Sequence, residues 1–298
     1  TLPVAGLELA EVRAASQALL DSGAPIADIN CVRKHLSRTL GGRLAAACRA
    51  PTRVLMISDV TGDDPSVIAS GPFAPDPTTY ADALLVLERW RVTPPAAVRR
   101  YLEDGVAGLH GETPKPGADC FMRVEHRLLA NGRAALLGAA AHFRKRGITP
   151  VILGDTVTGE AREVARAFAA LAREVRLHGG PWAPPVALLS GGETTVTVCG
   201  GGRGGRNAEF LLALAIALEG LDGIHALAAD TDGLDGNTDC AGAVMFPDGP
   251  ARAARLGVSV TACLDDNDAF RYFAALDGLI RTGPTRTNAN DYRAILIA

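Results

Sequence analysis

Residues 189–218 read LSGGETTVTVCGGGRGGRNAEFLLALAIAL. Val196, Val198 and the threonines around them have strand composition. Phe210 to Leu218 is an unbroken apolar run opening behind Asn207, an acceptable helix N-cap. Between strand and helix lie Gly200, Gly201, Gly202, Arg203, Gly204, Gly205 and Arg206. Glycines let a backbone approach a ligand closely, and free N–H groups at a helix start favour anions. Two guanidiniums add fixed positive charge with bidentate geometry. The loop is expected to hold a phosphorylated or carboxylate ligand.

The same stretch satisfies G-x-G-x-x-G at Gly200, Gly202 and Gly205, the formal dinucleotide fingerprint. Asp230, which closes the next apolar run, would be the ribose-binding acid. It falls later than the usual spacing of about 20 residues and opens an acidic loop of its own. A lone match of this kind is weak, and a glycine loop that merely turns the chain is the plainer alternative.

Working outward, the 298 residues suffice for a large core and favour two domains. With 48% hydrophobic and 21% charged residues and a net charge of −3, no basic field favours nucleic acid or an anionic membrane. Six cysteines (Cys31, Cys48, Cys120, Cys199, Cys240 and Cys263) form no C-x-x-C pair, which suits reduced thiols in a cytoplasmic enzyme. No apolar run approaches a membrane span. Only Lys34, Lys115 and Lys145 are lysines among 30 basic residues, and no G-x-x-x-x-G-K-[ST] occurs.

Helical patterns cover 7–20, 32–48 (interrupted at Gly41-Gly42), 79–90 and a stretch from Pro94; 53–57 is a short strand. The loop that follows, VTGDDPSVIASGPFAPDPTTY, is too rich in Pro, Gly, Asp and Ser for regular structure. GETPKPGAD at 111–119 is the best linker. Strands at 123–129, 150–153, 186–189 (continued at 194–199), 224–229 and 293–297 then alternate with helices at 133–146, 159–176, 207–218, 250–256 and 268–276. This predicts an α/β sandwich with a parallel or mixed sheet. Ligands in such folds sit beyond the carboxyl ends of strands.

Polar residues gather where that rule places them. Ser58-Asp59 with Asp63 and Asp64, then Ser190-Gly191-Gly192-Glu193, then Asp230, Asp232, Asp235 and Asp239 all follow apolar strands. Asn288, Asn290 and Asp291 precede the last strand, and Arg33, Lys34 and His35 make a cationic helix turn. Singly, each is as readily a turn, a cap or a solvated face. Together they suit phosphoryl transfer, which needs cations on the travelling phosphate, carboxylates for Mg²⁺ and a positioned hydroxyl. The aspartate loop fails the EF-hand register, and Ser190 lacks a nucleophile elbow.

Five ordered motifs resemble a known family: NCVRKHLSRTLGGRLA, LMISDVTGDDPSVIASGPFAPDPTTYADAL, LLSGGETTVTVCGGGRGGRNAEFLLALA, ALAADTDGLDGNTDCAGAV and TGPTRTNANDYRAILI. They resemble the glycerate 2-kinases whose C-terminal half is called the MOFRL region, some of which are named hydroxypyruvate reductases. The resemblance spans essentially the whole chain. It implies an α/β fold of two α/β domains: an incomplete, Rossmann-like N-terminal part over 1–119 and a C-terminal MOFRL-type sandwich over 120–298. It implies ATP-dependent, Mg²⁺-dependent phosphorylation of D-glycerate, with 2-phosphoglycerate the favoured product.

By motif, Arg206, Glu193 and Asp59 are the expected catalytic residues, and Asp230, Asp232 and Asp235 the metal ligands. Substrate and nucleotide contacts fall to Arg33, Lys34, His35, Ser58, Asp63, Ser190, Gly191, Gly192, Arg203, Gly204, Gly205, Asn207, Asn288, Asn290 and Asp291. Leu40, Ala208 and Arg286 stand where the family usually carries Lys, Gln and Gly. Related chains extend further at the N-terminus, with a first Rossmann-like unit and a lysine near a glycine-rich turn, so this sequence is expected to be a fragment. A reductase using NAD(P)H at the glycine loop, and a catalytically dead remnant that keeps only a sugar-acid pocket, are the alternatives.

Overall fold

The computed structural model describes residues 2–298, which form two compact units. Of the described residues, unit one takes 2–56 and 62–129, and unit two takes 57–61 and 130–298. Each is described by itself. The division falls at 129/130, beyond the linker marked by composition, because the strand after that linker pairs back into unit one.

Unit one is mainly helical: α1 (Leu9–Asp21), α2 (Ile26–His35), α3 (Arg43–Ala47), β1 (Thr52–Ile57), α4 (Tyr80–Arg89), α5 (Ala96–Val106) and β2 (Val124–Ala130). Leu19, Ile29, Leu36, Tyr80, Leu87 and Leu102 form its core, and β1 with β2 makes a two-stranded sheet. In place of the helix expected over 32–48, α2 ends at His35 and α3 starts at Arg43, directly behind Gly41 and Gly42, which take φ of 58° and 80°. A Cβ on Gly42 would come within 2.7 Å of Phe121, so the turn needs glycine for space as well as for conformation.

Unit two runs α6 (Gly132–Arg144), β3 (Thr149–Glu160), α7 (Ala161–His178), β4 (Val186–Thr195), α8 (Arg206–Leu218), β5 (Ile224–Asp230), β6 (Gly242–Met245), α9 (Gly249–Arg255), α10 (Val260–Asp265), α11 (Ala269–Ala275), β7 (Leu279–Ile280) and β8 (Asp291–Ile297). Its sheet has the order β3-β4-β8-β5-β6-β7. Only β3 and β4 pair in parallel; β8 runs antiparallel between β4 and β5. Val186 and Leu188 of β4 face α7 and α8, whereas Ala187 and Leu189 face α6, the two-residue alternation of a strand covered on both sides. Helix α8 is apolar nearly all round and is buried accordingly.

This topology assembles the polar edge. The carboxyl ends of β4 and β5 and the amino end of β8 lie together, and Asp230 stands directly opposite Asp291 in the ladder. Ser190 faces Arg293 in the same way. The expected strand over 194–199 stops at Thr195, and the helix begins at Arg206 with Gly205 as N-cap, so Asn207 lies inside the first turn. Helix α10 and strands β6 and β7, of six, four and two residues, are too short to leave a periodic signal in the sequence.

Candidate active site

Arg206 opens α8 and aims its guanidinium at three carboxylates. Nε donates to Asp291 Oδ1 at 2.8 Å, Nη1 to Glu193 Oε1 at 2.8 Å, and Nη2 to Asp230 Oδ2 at 2.7 Å. Planar guanidinium geometry is what allows three acceptors to be served in three directions. Burial works to lower the arginine's proton affinity, but the charges of Asp291, Asp230 and Glu193 outweigh it and hold the cation firmly. Asp230 is buried, and its carboxyl is pushed up to about 6 by that burial, against the Asp232 amide and the Arg206 charge.

A second, deeper arginine supports the first. Arg293 is 1% exposed and donates to Asp291 Oδ2, to Thr194 Oγ1 at 2.9 Å and to the Gly191 carbonyl at 3.2 Å. Its guanidinium lies 5.3 Å from the Phe210 ring centre. Asp291 therefore joins two guanidiniums, one buried and one at the surface of the site.

Asp235 has a different task from the metal ligation expected of it. Its two oxygens accept the backbone N–H groups of Asn207 and Ala208 at 3.0 and 2.9 Å, capping α8 from a distant loop. Those amides otherwise lack partners at a helix start. Asn207 is buried and sends Nδ2 to Asp291 at 2.7 Å, so it is a brace rather than a substrate contact. Among the described residues, no three His, Cys, Asp or Glu side chains converge as a metal cluster.

The glycine loop is not an open cradle. Cys199 and Gly200 both donate to Asn267 Oδ1, Gly201 to Asp266 Oδ1, Gly202 to the Asp266 carbonyl, Arg203 to Asp268 Oδ1, and Gly204 to Asn237 Oδ1. A Cβ on Gly200 or Gly202 would collide with the backbone of Asp266 or with Asp268, and one on Gly205 with Asp235. These three glycines admit protein neighbours instead of a pyrophosphate. Arg203 turns away to stack 4.2 Å from the Phe270 ring centre and approaches Asp239.

A cleft of about 1040 Å³ lies over this edge, lined at one end by Thr61, Glu193, Arg206, Asp230, Asp232 and Asn288. Gly204 and Gly205 also line it; Ser190, Gly191, Gly192 and Arg203 do not. Ser190 is buried in β4, and Gly192 (φ 102°) takes its place because a Cβ would overlap the Val157 backbone. Asp59 is exposed and receives Asn288 Nδ2 at 3.3 Å, and its carbonyl accepts Asn290 Nδ2 at 2.7 Å. Ser58 turns its hydroxyl to the Val60 backbone.

Four expected residues lie in unit one. Lys34 is buried 3.5 Å from Asp76; His35 bonds the Cys31 carbonyl and Glu112; Arg33 lies beside α1; Asp63 holds a φ of 55°. Sequence reasoning missed Arg293, Glu209 and Asn267. Glu209 is buried, takes Arg162 through Oε1 at 2.8 and 2.9 Å, and accepts Asn267 Nδ2 at 2.9 Å. That chain of bonds fixes the asparagine that holds the glycine loop. A glutamate inside an apolar helix was the one available signal.

Comparison with known proteins gives the family. Residues 186–291 match the MOFRL family, and residues 1–103 match a domain of unknown function, DUF4147. A D-glycerate 2-kinase of Thermotoga maritima is 40% identical over 292 residues, covering 97% of this chain and 67% of its own length. A protein of Agrobacterium vitis named hydroxypyruvate reductase is 49% identical over 298 residues, covering 99% of this chain and 66% of its own. The crystal structure of glycerate kinase from Thermotoga maritima superposes with a TM-score of 0.90 at 39% identity, over all of this chain and 69% of that one.

The fold is that of the α/β glycerate kinases. The chain belongs to the MOFRL-containing glycerate kinase family, and it spans about two thirds of the length of the relatives it matches. Among the described residues, no helix is long and apolar enough to cross a membrane.

Proposed function

We propose that this chain carries the phosphoryl-transfer site of an ATP-dependent D-glycerate kinase, with the 2-hydroxyl as the favoured acceptor. The observation that carries the reading is Arg206, held by two buried carboxylates and one exposed one at the mouth of the cleft. Asp230 and Asp291 fix the side chain, while Glu193, 56% exposed, is the partner that can yield. An incoming phosphoryl oxygen takes Nη1 from Glu193, and the arginine then faces the charge that develops in transfer. The released Glu193 carboxylate lies beside the same atoms and orients the acceptor hydroxyl. Thr61, Asn288 and Asp59 border that end and bind the small acid.

The residues present fit Mg²⁺. Glu193, Asp230, Asp232 and Asp291 outnumber Arg206 and Arg293 around the cleft end, an excess of negative charge that would repel a triphosphate unaided. Mg²⁺ is usually held by one or two carboxylates together with substrate phosphates. Asp232, with Asp230 beside it, would hold the ion, whose chemistry is to neutralise phosphate oxygens. Asp232 uses Oδ1 on the Leu234 amide and leaves Oδ2 for this purpose.

The filled amides of residues 199–204 speak against a nicotinamide site at the glycine loop. The test is ADP release coupled to NADH oxidation, with ATP, Mg²⁺ and D-glycerate, on this chain and on a protein extended to the length of its relatives. Turnover by either supports the kinase. If both are silent, and both oxidise NADH when hydroxypyruvate alone is supplied, the reductase reading replaces it.

A further inference from the structure

We infer that the aliphatic part of this cleft's lining is a shelf for the purine base of the nucleotide, built by Val196, Val198, Leu234 and Asn237. The inference rests on the kinase reading and extends it by locating the base. Part of the lining is apolar. Val198 is 72% exposed and Leu234 is 41% exposed, and both border the cleft with Val196. Two aliphatic side chains open to water border one cleft, and a ring laid over them would bury apolar area.

Glycine backbone lines the same cleft at Gly202, Gly204, Gly205 and Gly236. Gly204 donates to Asn237 Oδ1 at 3.0 Å, and the Asn237 amide returns a bond to the Gly204 carbonyl at 3.2 Å. A Cβ on Gly236 would collide with that carbonyl. The two loops are thus locked together with no side chain rising from Gly202, Gly204 or Gly236, all of which line the cleft. Peptide planes flanked by aliphatic groups suit a flat heteroaromatic ring.

Asn237 supplies the polar point. Its Oδ1 is fixed as acceptor by the Gly204 amide, which assigns Nδ2 as the outward donor. Among the described residues Nδ2 has no protein acceptor, and the residue lines the cleft. An outward N–H donor matches the unprotonated ring nitrogens of a purine. From the shelf, Gly205 leads directly to Arg206, whose guanidinium is the expected phosphate contact.

The experiment is calorimetric binding of ADP, adenosine and inorganic tripolyphosphate to this chain and to the double variant Val198→Ser, Leu234→Ser. Both positions are exposed, and unchanged melting temperatures would show that the variant is folded. The shelf predicts ADP and adenosine binding weakened about tenfold or more, with tripolyphosphate within about twofold of the parent. Asn237→Ala should weaken ADP without affecting tripolyphosphate. If the double variant binds ADP like the parent, the base lies elsewhere and only the shelf is overturned. If the parent binds neither ADP nor tripolyphosphate, the kinase reading itself is overturned, and the shelf falls with it.

Discussion

Asp291 accepts Nε of Arg206 through one oxygen and Nη2 of Arg293 through the other, so a single buried carboxylate holds the site arginine against a buried arginine. Asp291→Ala should therefore act on both. It leaves Arg293 buried without its counter-charge, a loss of about 3–5 kcal/mol for a broken buried pair. Chemical denaturation of the variant measures this, and a loss under about 1 kcal/mol would mean that Arg293 finds another partner.

Arg206→Lys keeps the charge but cannot reach three acceptors in three directions. We expect kcat for D-glycerate phosphorylation to fall on the order of a hundredfold to a thousandfold, the range for losing one electrostatic stabiliser. Steady-state kinetics on a catalytically active form decide it. Normal kcat in this variant would remove the guanidinium from the mechanism.

The glycine loop offers an internal control. Gly200→Ala and Gly202→Ala would drive a methyl group into Asp266 or Asp268, whereas a Cβ on Gly201 meets nothing within 4 Å. The first two should cost about 1–3 kcal/mol through overpacking, and Gly201→Ala should be nearly neutral. Melting temperatures of the three would rank them. Equal tolerance at all three sites would show that the loop is looser than its hydrogen bonds imply.

Asp235 couples the start of α8 to pH. Burial pushes its carboxyl up to about 6, against the amide bonds from Asn207 and Ala208. In the unfolded chain it titrates near its ordinary value of about 3.9. Between these values the native state keeps a proton that the unfolded state has released. The stability is complete below about pH 4 and is lost as pH rises through about 6, about 3 kcal/mol in all. Urea unfolding across this range should show a flatter profile for Asp235→Asn than for the parent. Parallel profiles would assign the slope to other groups.

Much of the fold was legible because its signals are local. The apolar run at 210–218, the alternation of strands with helices, and the glycine-rich turn at Arg203–Arg206 are properties of neighbours in the chain. Arg206, Glu193 and Asp230 stood out for the same reason: polar residues at the ends of apolar runs. Arg293 did not, since it lies within a strand and its partners Thr194 and Gly191 are set by pairing to β4.

What the sequence determined by itself was the order of elements, the motifs and the family resemblance they carry. The tertiary structure decided which groups remain available for chemistry. Asp235 and Asp232 belong to one acidic loop, yet one caps a helix and the other lines the cleft. The amides of residues 199–204 looked free and are all taken by residues 33 to 68 positions away. An amide N–H is given to one acceptor and a carboxylate has few lone pairs, and the partners that take them here are fixed by the packing of the sheet and its loops, not by chain neighbours.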